Sequence, residues 1–164
     1  ANDPSDTDAQ RDLSVSHNKI GDVQVAQGDL DAALLSFQAS LAIREPLAAA
    51  DAGNAGWQRD LSVSHNMIGD VQVAQGDLAA ALQSFRASHA IFERLAAADA
   101  GNAGWQRDLV VSYVKLGGLE PGAGWWAKGL AVAERLAAAG RLAPVDAWIP
   151  DYLREQAAKD AGGG

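Results

Sequence analysis

The chain says the same thing twice. Residues 58–105 reproduce residues 10–57 at a 48-residue offset, with seven differences: Lys19/Met67, Asp31/Ala79, Leu35/Gln83, Gln38/Arg86, Leu41/His89, Arg44/Phe92 and Pro46/Arg94. A third copy starts at Gln106 and loses its phase after Gly117. A block of this length in tandem is one supersecondary unit, and it buries its apolar side only by stacking on its neighbours. The repeat therefore predicts a row of like units more firmly than it predicts an activity.

Within a block the apolar residues fall at helical spacing. Leu13, Ile20 and Val23, with His17 between, predict a first helix over residues 8–26, opened by the capping-box pattern Thr7-Asp8-Ala9-Gln10. Gly28 suits the left-handed turn that closes a helix, and Asp29 can accept from the first N–H groups of the next. That second helix starts near Leu30 and carries Ala33, Leu34, Phe37, Leu41 and Leu47. Pro46 lies inside it. An interior proline removes a hydrogen bond and clashes with the preceding turn, at about 3 kcal/mol, so a kink or early break is expected there. Arg94 at the equivalent position predicts a straighter helix in the second copy. Residues 52–56 form a connector, after which Trp57 opens the next unit. Helices over 57–74 and 78–98 follow.

The third copy runs from Trp105 through Gly117. A seven-residue deletion then brings Trp126 into line with Phe37 and Phe85, and Leu130 with Leu41. Residues 120–124 become a loop and residues 125–139 a shortened helix. Val145, Trp148, Ile149, Tyr152 and Leu153 keep a helical stripe that Pro150 interrupts, so the last helix either kinks or starts at that proline. Such a unit reads as a cap, since a terminal unit must hide an apolar face on one side only. The expected layout is a flexible lead-in at 1–6, repeats at 7–57 and 58–105, a truncated third at 106–140, a capping helix at 141–161 and a flexible tail at 162–164.

Composition narrows the function classes. Thirteen basic and 21 acidic residues give a net charge of -8 without a Lys/Arg cluster. A surface that tracks nucleic-acid phosphates is not expected, nor is binding to an anionic membrane. Cationic or neutral partners suit it better. There is no cysteine, which removes disulfides and thiolate chemistry without fixing a compartment. No apolar run nears the roughly 20 residues of a membrane-spanning helix. Ala1 is followed by neither a charged nor an apolar leader, so a processed chain or an excised fragment is expected, with a cytoplasmic location.

No residue stands out as catalytic, cofactor-binding or metal-ligating. His17 and His65 occupy the same phase of successive units, and Tyr113 takes their place in the third; a packing role explains them, because a catalytic group needs one site rather than a copy per repeat. His89 replaces Leu41 and reads as partly buried or partner-facing. Gly28-Asp29 and Gly76-Asp77 lack the glycines and lysine of a phosphate loop, and helix termination accounts for them. Trp57 and Trp105 begin equivalent helices and are expected to pack on the preceding unit. Trp125, Trp126 and Trp148 are expected to seal the cap.

The pattern Ile20-Gly21, Gln27-Gly28-Asp29-Leu30, Ala33-Leu34 and Phe37 resembles the tetratricopeptide repeat (TPR) family. Ile68-Gly69, Gln75-Gly76-Asp77-Leu78, Ala81-Leu82 and Phe85 repeat it, and Tyr113, Leu116 and Gly117 match its first half. The likeness spans residues 10–140. Gly21 opposite Ala33 is expected to let the paired helices approach, with Phe37 filling the space where the next unit docks. The family's usual unit is about 34 residues, so this is a long-repeat variant, and His17 and His65 stand where a large aromatic is usual. The resemblance implies an all-α, right-handed α-solenoid of antiparallel hairpins with about seven helices. It also implies a non-enzymatic protein that takes a peptide or partner helix in a concave groove lined by the first helices. The matching positions are Val15, Asn18, Asp22, Val25 and Ala26, then Val63, Asn66, Asp70, Val73 and Ala74. A carboxylate clamp is not reproduced, since only Lys19 comes near and its counterpart is Met67; a basic or neutral segment is the expected ligand. The alternative is a spacer or self-association element of a larger protein, stacking through its ends.

Overall fold

The structure, a computed structural model, describes residues 6–162. Their regular structure is all helical, with no strand among the described residues: α1 (Thr7–Ala26), α2 (Leu30–Ala50), α3 (Ala55–Gln75), α4 (Leu78–Ala98), α5 (Ala103–Leu119), α6 (Trp125–Ala138) and α7 (Ile149–Gly162). A single 3-10 turn, Pro144–Asp146, precedes α7. Of the expected lead-in and tail, residues 1–5 and 163–164 lie outside the described residues, while Gly162 ends α7. The chain forms two compact units, divided after Ser88 inside α4.

Helix starts recur at one phase of the repeat. Asp6, Asn54 and Asn102 each cap a first helix, accepting from Asp8 and Ala9, from Trp57, and from Trp105 respectively. Thr7 is thus the first residue of α1 rather than its cap. A carboxylate one place earlier serves the orphan N–H groups better and adds a favourable charge at the helix N-terminus. For the same reason α3 begins at Ala55, inside the expected connector. Gly28 and Gly76 adopt φ of 79° and 82°, and Asp29 and Asp77 accept from the N–H of Ala32 and Ala80. Pro46 does not break its helix: α2 and α4 are both 21 residues long. Pro46 and Ala42, whose carbonyl loses its donor, are both exposed, so water can satisfy that carbonyl at modest cost.

In the first unit, Ser14 meets Arg44, Asn18 meets Ser40, Gly21 meets Phe37 and Gln24 meets Ser36. Rising numbers in α1 pair with falling numbers in α2, so the two helices run antiparallel. The same crossing pattern ties α2 to α3 through Arg44, Gln58 and Gln75. Gly21 faces the Phe37 ring rather than Ala33, and a β-carbon there would lie 2.5 Å from Cε1 of that ring. Phe37 and Ala33 are buried together with Ile68 and Val71 of α3, and Leu34, Leu41 and Met67 pack around them. One aromatic therefore closes its own hairpin and seats the next. Gly69 and Phe85 repeat the contact.

In the second unit, Trp126 covers Gly117 as Phe37 covers Gly21, at 2.6 Å from the position of an added β-carbon. The deletion after Gly117 removes length without moving that contact. Gln106 donates to the Ala96 carbonyl at 2.9 Å, as Gln58 does to Ala48 in the first unit. Each glutamine satisfies a last-turn carbonyl that its own helix leaves open. The chain end is different. Helix α7 starts at Ile149 with Pro150 in its first turn, and the 3-10 turn before it takes Val145 and Trp148 off the stripe, leaving them 75% and 60% exposed. Ile149 and Leu153 remain buried, and Leu153 packs beside Gly129 of α6. Asp146, buried in the 3-10 turn, accepts two hydrogen bonds from the Arg107 guanidinium. Arg11, two repeats before Arg107, makes the like pair with Asp60 of α3. The cap thus offers α5 a carboxylate in the way α3 offers one to α1.

Two adjacent glycines of α5 carry opposite predictions. Gly117→Ala forces a methyl into the Trp126 indole and lowers stability by about 1–3 kcal/mol. Gly118 has open space around it, so Gly118→Ala raises stability by about 0.5–1 kcal/mol through helix propensity; urea melts of the two variants give the signs. At the cap, Arg107→Ala strands a buried carboxylate and lowers stability by about 1–3 kcal/mol, whereas Asp146→Asn, which strands no buried charge, lowers it by less in the same melts.

Candidate functional site

The positions expected to line a groove separate into two groups. Asp22 and Val25 of α1 and Asp70 and Ala74 of α3 open onto one cavity of about 220 Å³. Its floor is apolar, built from Leu30 and Phe37 of α2 with Met67 and Val71 of α3. The helical step explains the set: Asp22 and Val25 are three residues apart, hence neighbours on one face, as are Asp70 and Ala74 at four. Aspartates thus flank an apolar depression from two different helices. Val15 and Val73 are exposed at 37% and 40%, and Val63 is half-buried, but none of the three lines the cavity.

Asn18 does not face a ligand. It is 7% exposed, and with its amide assigned in the orientation that satisfies both ends it donates to Ser40 Oγ at 2.9 Å and accepts from Arg44 Nη2 at 3.1 Å. Arg44 is the residue the sequence did not mark. It is 5% exposed and donates to Ser14 Oγ, the Asp60 carbonyl and Ser64 Oγ. Burial pushes its guanidinium below the ordinary arginine value, and the nearby Asp60 carboxylate opposes that shift. A buried cation needs such a cage of acceptors, and Asn18 is drawn inward to complete it. Asn66 is half-buried; its Oδ1 and the Ser88 Oγ are enclosed without a hydrogen-bond partner. The one sequence signal was the exchange of Arg44 for Phe92 between near-identical copies, which marks a packed position rather than a solvated one.

The histidines lie on three different helices, α1, α3 and α4. His17 and His65 are half-buried, and burial lowers the His65 pKa, with Glu45 opposing. His89 is buried: its Nδ1 lies 2.9 Å from Ser112 Oγ, and its ring is 4.8 Å from Tyr113 and 5.4 Å from Trp125. Among the described residues no group of three or more His, Asp or Glu side chains could hold a metal ion. No helix of the described residues is long and apolar enough to cross a membrane. Trp57 is half-buried and lines a small cleft together with Leu47 and Arg44. Trp125 donates to Glu120 and carries Lys128 over its face at 4.3 Å. Trp148 makes a T-shaped contact with Tyr152 at 5.7 Å and stays exposed, so it does not seal the cap as expected; the 3-10 turn has turned it outward.

A scan against protein-family models and a search of curated proteins return no match for this chain.

His89 supplies a pH test. Burial holds its imidazole below the ordinary histidine value; Glu93 raises it and Lys128 lowers it further. The folded state therefore prefers the neutral ring, and its contribution is complete above pH about 6.5 and lost as pH falls through the folded-state pKa. The thermal midpoint should drop between pH 7 and pH 5. In His89→Leu, which restores the residue of the first copy, that drop should be smaller; an equal drop would assign the acid sensitivity elsewhere.

Proposed function

We propose that this chain is a TPR-like repeat protein, its hairpins stacked as a right-handed α-solenoid, that binds a partner polypeptide without catalysing a reaction. The groove between α1 and α3 takes an extended, basic or neutral segment. One observation carries the reading: Asp22, Val25 and Asp70, on two successive first helices, share a cavity with an apolar floor. An extended peptide carries side chains on alternate sides, and a lysine or arginine among them can lay its methylene stem on Phe37 and Met67 while its head stays near the carboxylates. The overall charge of -8 favours approach of a cationic segment and disfavours an anionic one.

Anisotropy titrations with fluorescent lysine-containing, neutral and glutamate-containing peptides of the same length test the groove. The basic peptide should bind tightest, and added salt should weaken it. Asp22→Asn with Asp70→Asn should reduce its affinity by about fivefold, the size of two exposed charge contacts. Equal binding of all three peptides, or an unaffected double variant, removes the groove reading. Asn18→Ala should instead lower the midpoint, because it opens the cage around Arg44.

A further inference from the structure

The same helix surface appears three times in this chain, twice covered and once bare. Leu13, Ile20 and Val23 of α1 correspond by the 48-residue repeat to Leu61, Ile68 and Val71 of α3. Ile68 and Val71 are 5% and 3% exposed because α2 lies over them, whereas Ile20 and Val23 are 50% and 56% exposed. Leu109 and Leu116 of α5, the next counterparts of Leu13 and Ile20, are 6% and 0% exposed. Residue type, helix and spacing are the same in α1 and α3. What differs is the presence of a second helix of the repeat on that side.

We propose that the outer face of α1 is a docking face for the second helix of one more hairpin of this 48-residue repeat. The occupant is specified by what covers α3: Ala33 and Phe37 meet Ile68 and Val71, with Leu34 and Leu41 beside them. A helix of that composition presents the ring and the small residue that the Leu13–Ile20–Val23 row fits. The start of α1 also matches an interior junction, since Asp6 caps it at the repeat position where Asn54 caps α3 and Asn102 caps α5. Ala9 stands where Trp57 and Trp105 stand, so the seam is thinner at that end. A second copy of the chain is a poorer occupant. In each unit the corresponding faces are already in use: α2 lies against α3, the end of α4 bonds to α5, and α6 packs against α7. The proposal rests on the stacking of like hairpins put forward above and not on the groove, so peptide titrations bear on neither of its readouts.

The test places a duplicate of residues 10–57 directly ahead of Gln10 in the full chain, which recreates the Trp57–Gln58 junction. Hydrogen exchange at the amides of α1 should slow by about tenfold or more relative to the 164-residue chain, approaching the rates in α3. Ile20→Ala should move the thermal midpoint of the 164-residue chain by no more than about 1 °C, and that of the extended chain by several degrees, the shift also expected of Ile68→Ala. Unchanged exchange in α1, or an Ile20→Ala shift equal in both chains, overturns the proposal. So does light scattering in which the mass of the 164-residue chain rises with concentration while α1 becomes protected, because the face would then serve a second copy.

Discussion

A side chain that is missing governs how close these helices come. At Gly21, Gly69 and Gly117 an aromatic ring rests where a β-carbon would otherwise stand. With the ring pressed onto bare backbone, the two helices of a hairpin approach closely, and the far side of Phe37 is left to meet Ile68 and Val71 of the following helix. Burial of an aromatic of this size is among the largest single contributions to a core. Alanine-rich surfaces supply little else of that bulk, so the position of the ring sets both spacings. The third copy shows the strength of this constraint: it gives up seven residues and exchanges phenylalanine for tryptophan, yet keeps the glycine under the ring.

Around that shared contact, each seam is individually marked. Where α2 meets α3, Arg44 reaches Ser14, Ser64 and the Asp60 carbonyl and draws in Asn18. Where α4 meets α5, His89 bonds Ser112 among aromatic rings. Five of the seven differences between the near-identical blocks fall at positions exposed in at least one copy, and the two remaining pairs, Leu41/His89 and Arg44/Phe92, sit at these seams. The glutamine ties from Gln58 and Gln106 stay constant. The same tie recurs at the α2–α3 and α4–α5 seams, and the variable positions distinguish one seam from the other.

Much of this could be read from the chain. Helical spacing of Leu13, Ile20 and Phe37 and the Gly28-Asp29 punctuation indicate the hairpin, because local backbone preferences decide those features. The alignment of Trp126 with Phe37 was equally visible, since it depends on one aromatic and one glycine. Three things were not. Pro46 is tolerated because its neighbours face water, which is a matter of exposure and not of sequence order. Asn54 caps its helix three residues before the tryptophan and Asp6 caps its helix one residue before the capping-box threonine, because a competing oxygen lay just upstream. Asn18 shares the stripe of Asp22 and Val25, yet only the tertiary position of Arg44 turns it inward while Asp22 and Val25 open onto the cavity.

The carboxylate that Asp146 gives to Arg107 has a bearing on how such a chain can change its length. The last helix copies the chemistry of a following block without copying its sequence, so Arg107 of α5 meets its carboxylate without another repeat beyond α6. Every junction upstream of it uses parts carried inside the repeat. A gene with nearly identical tandem segments gains or loses them by misaligned recombination, and here such an event would leave the closing element untouched. A variable number of blocks beside one unlike segment makes the count of seams, rather than their chemistry, the property most easily altered.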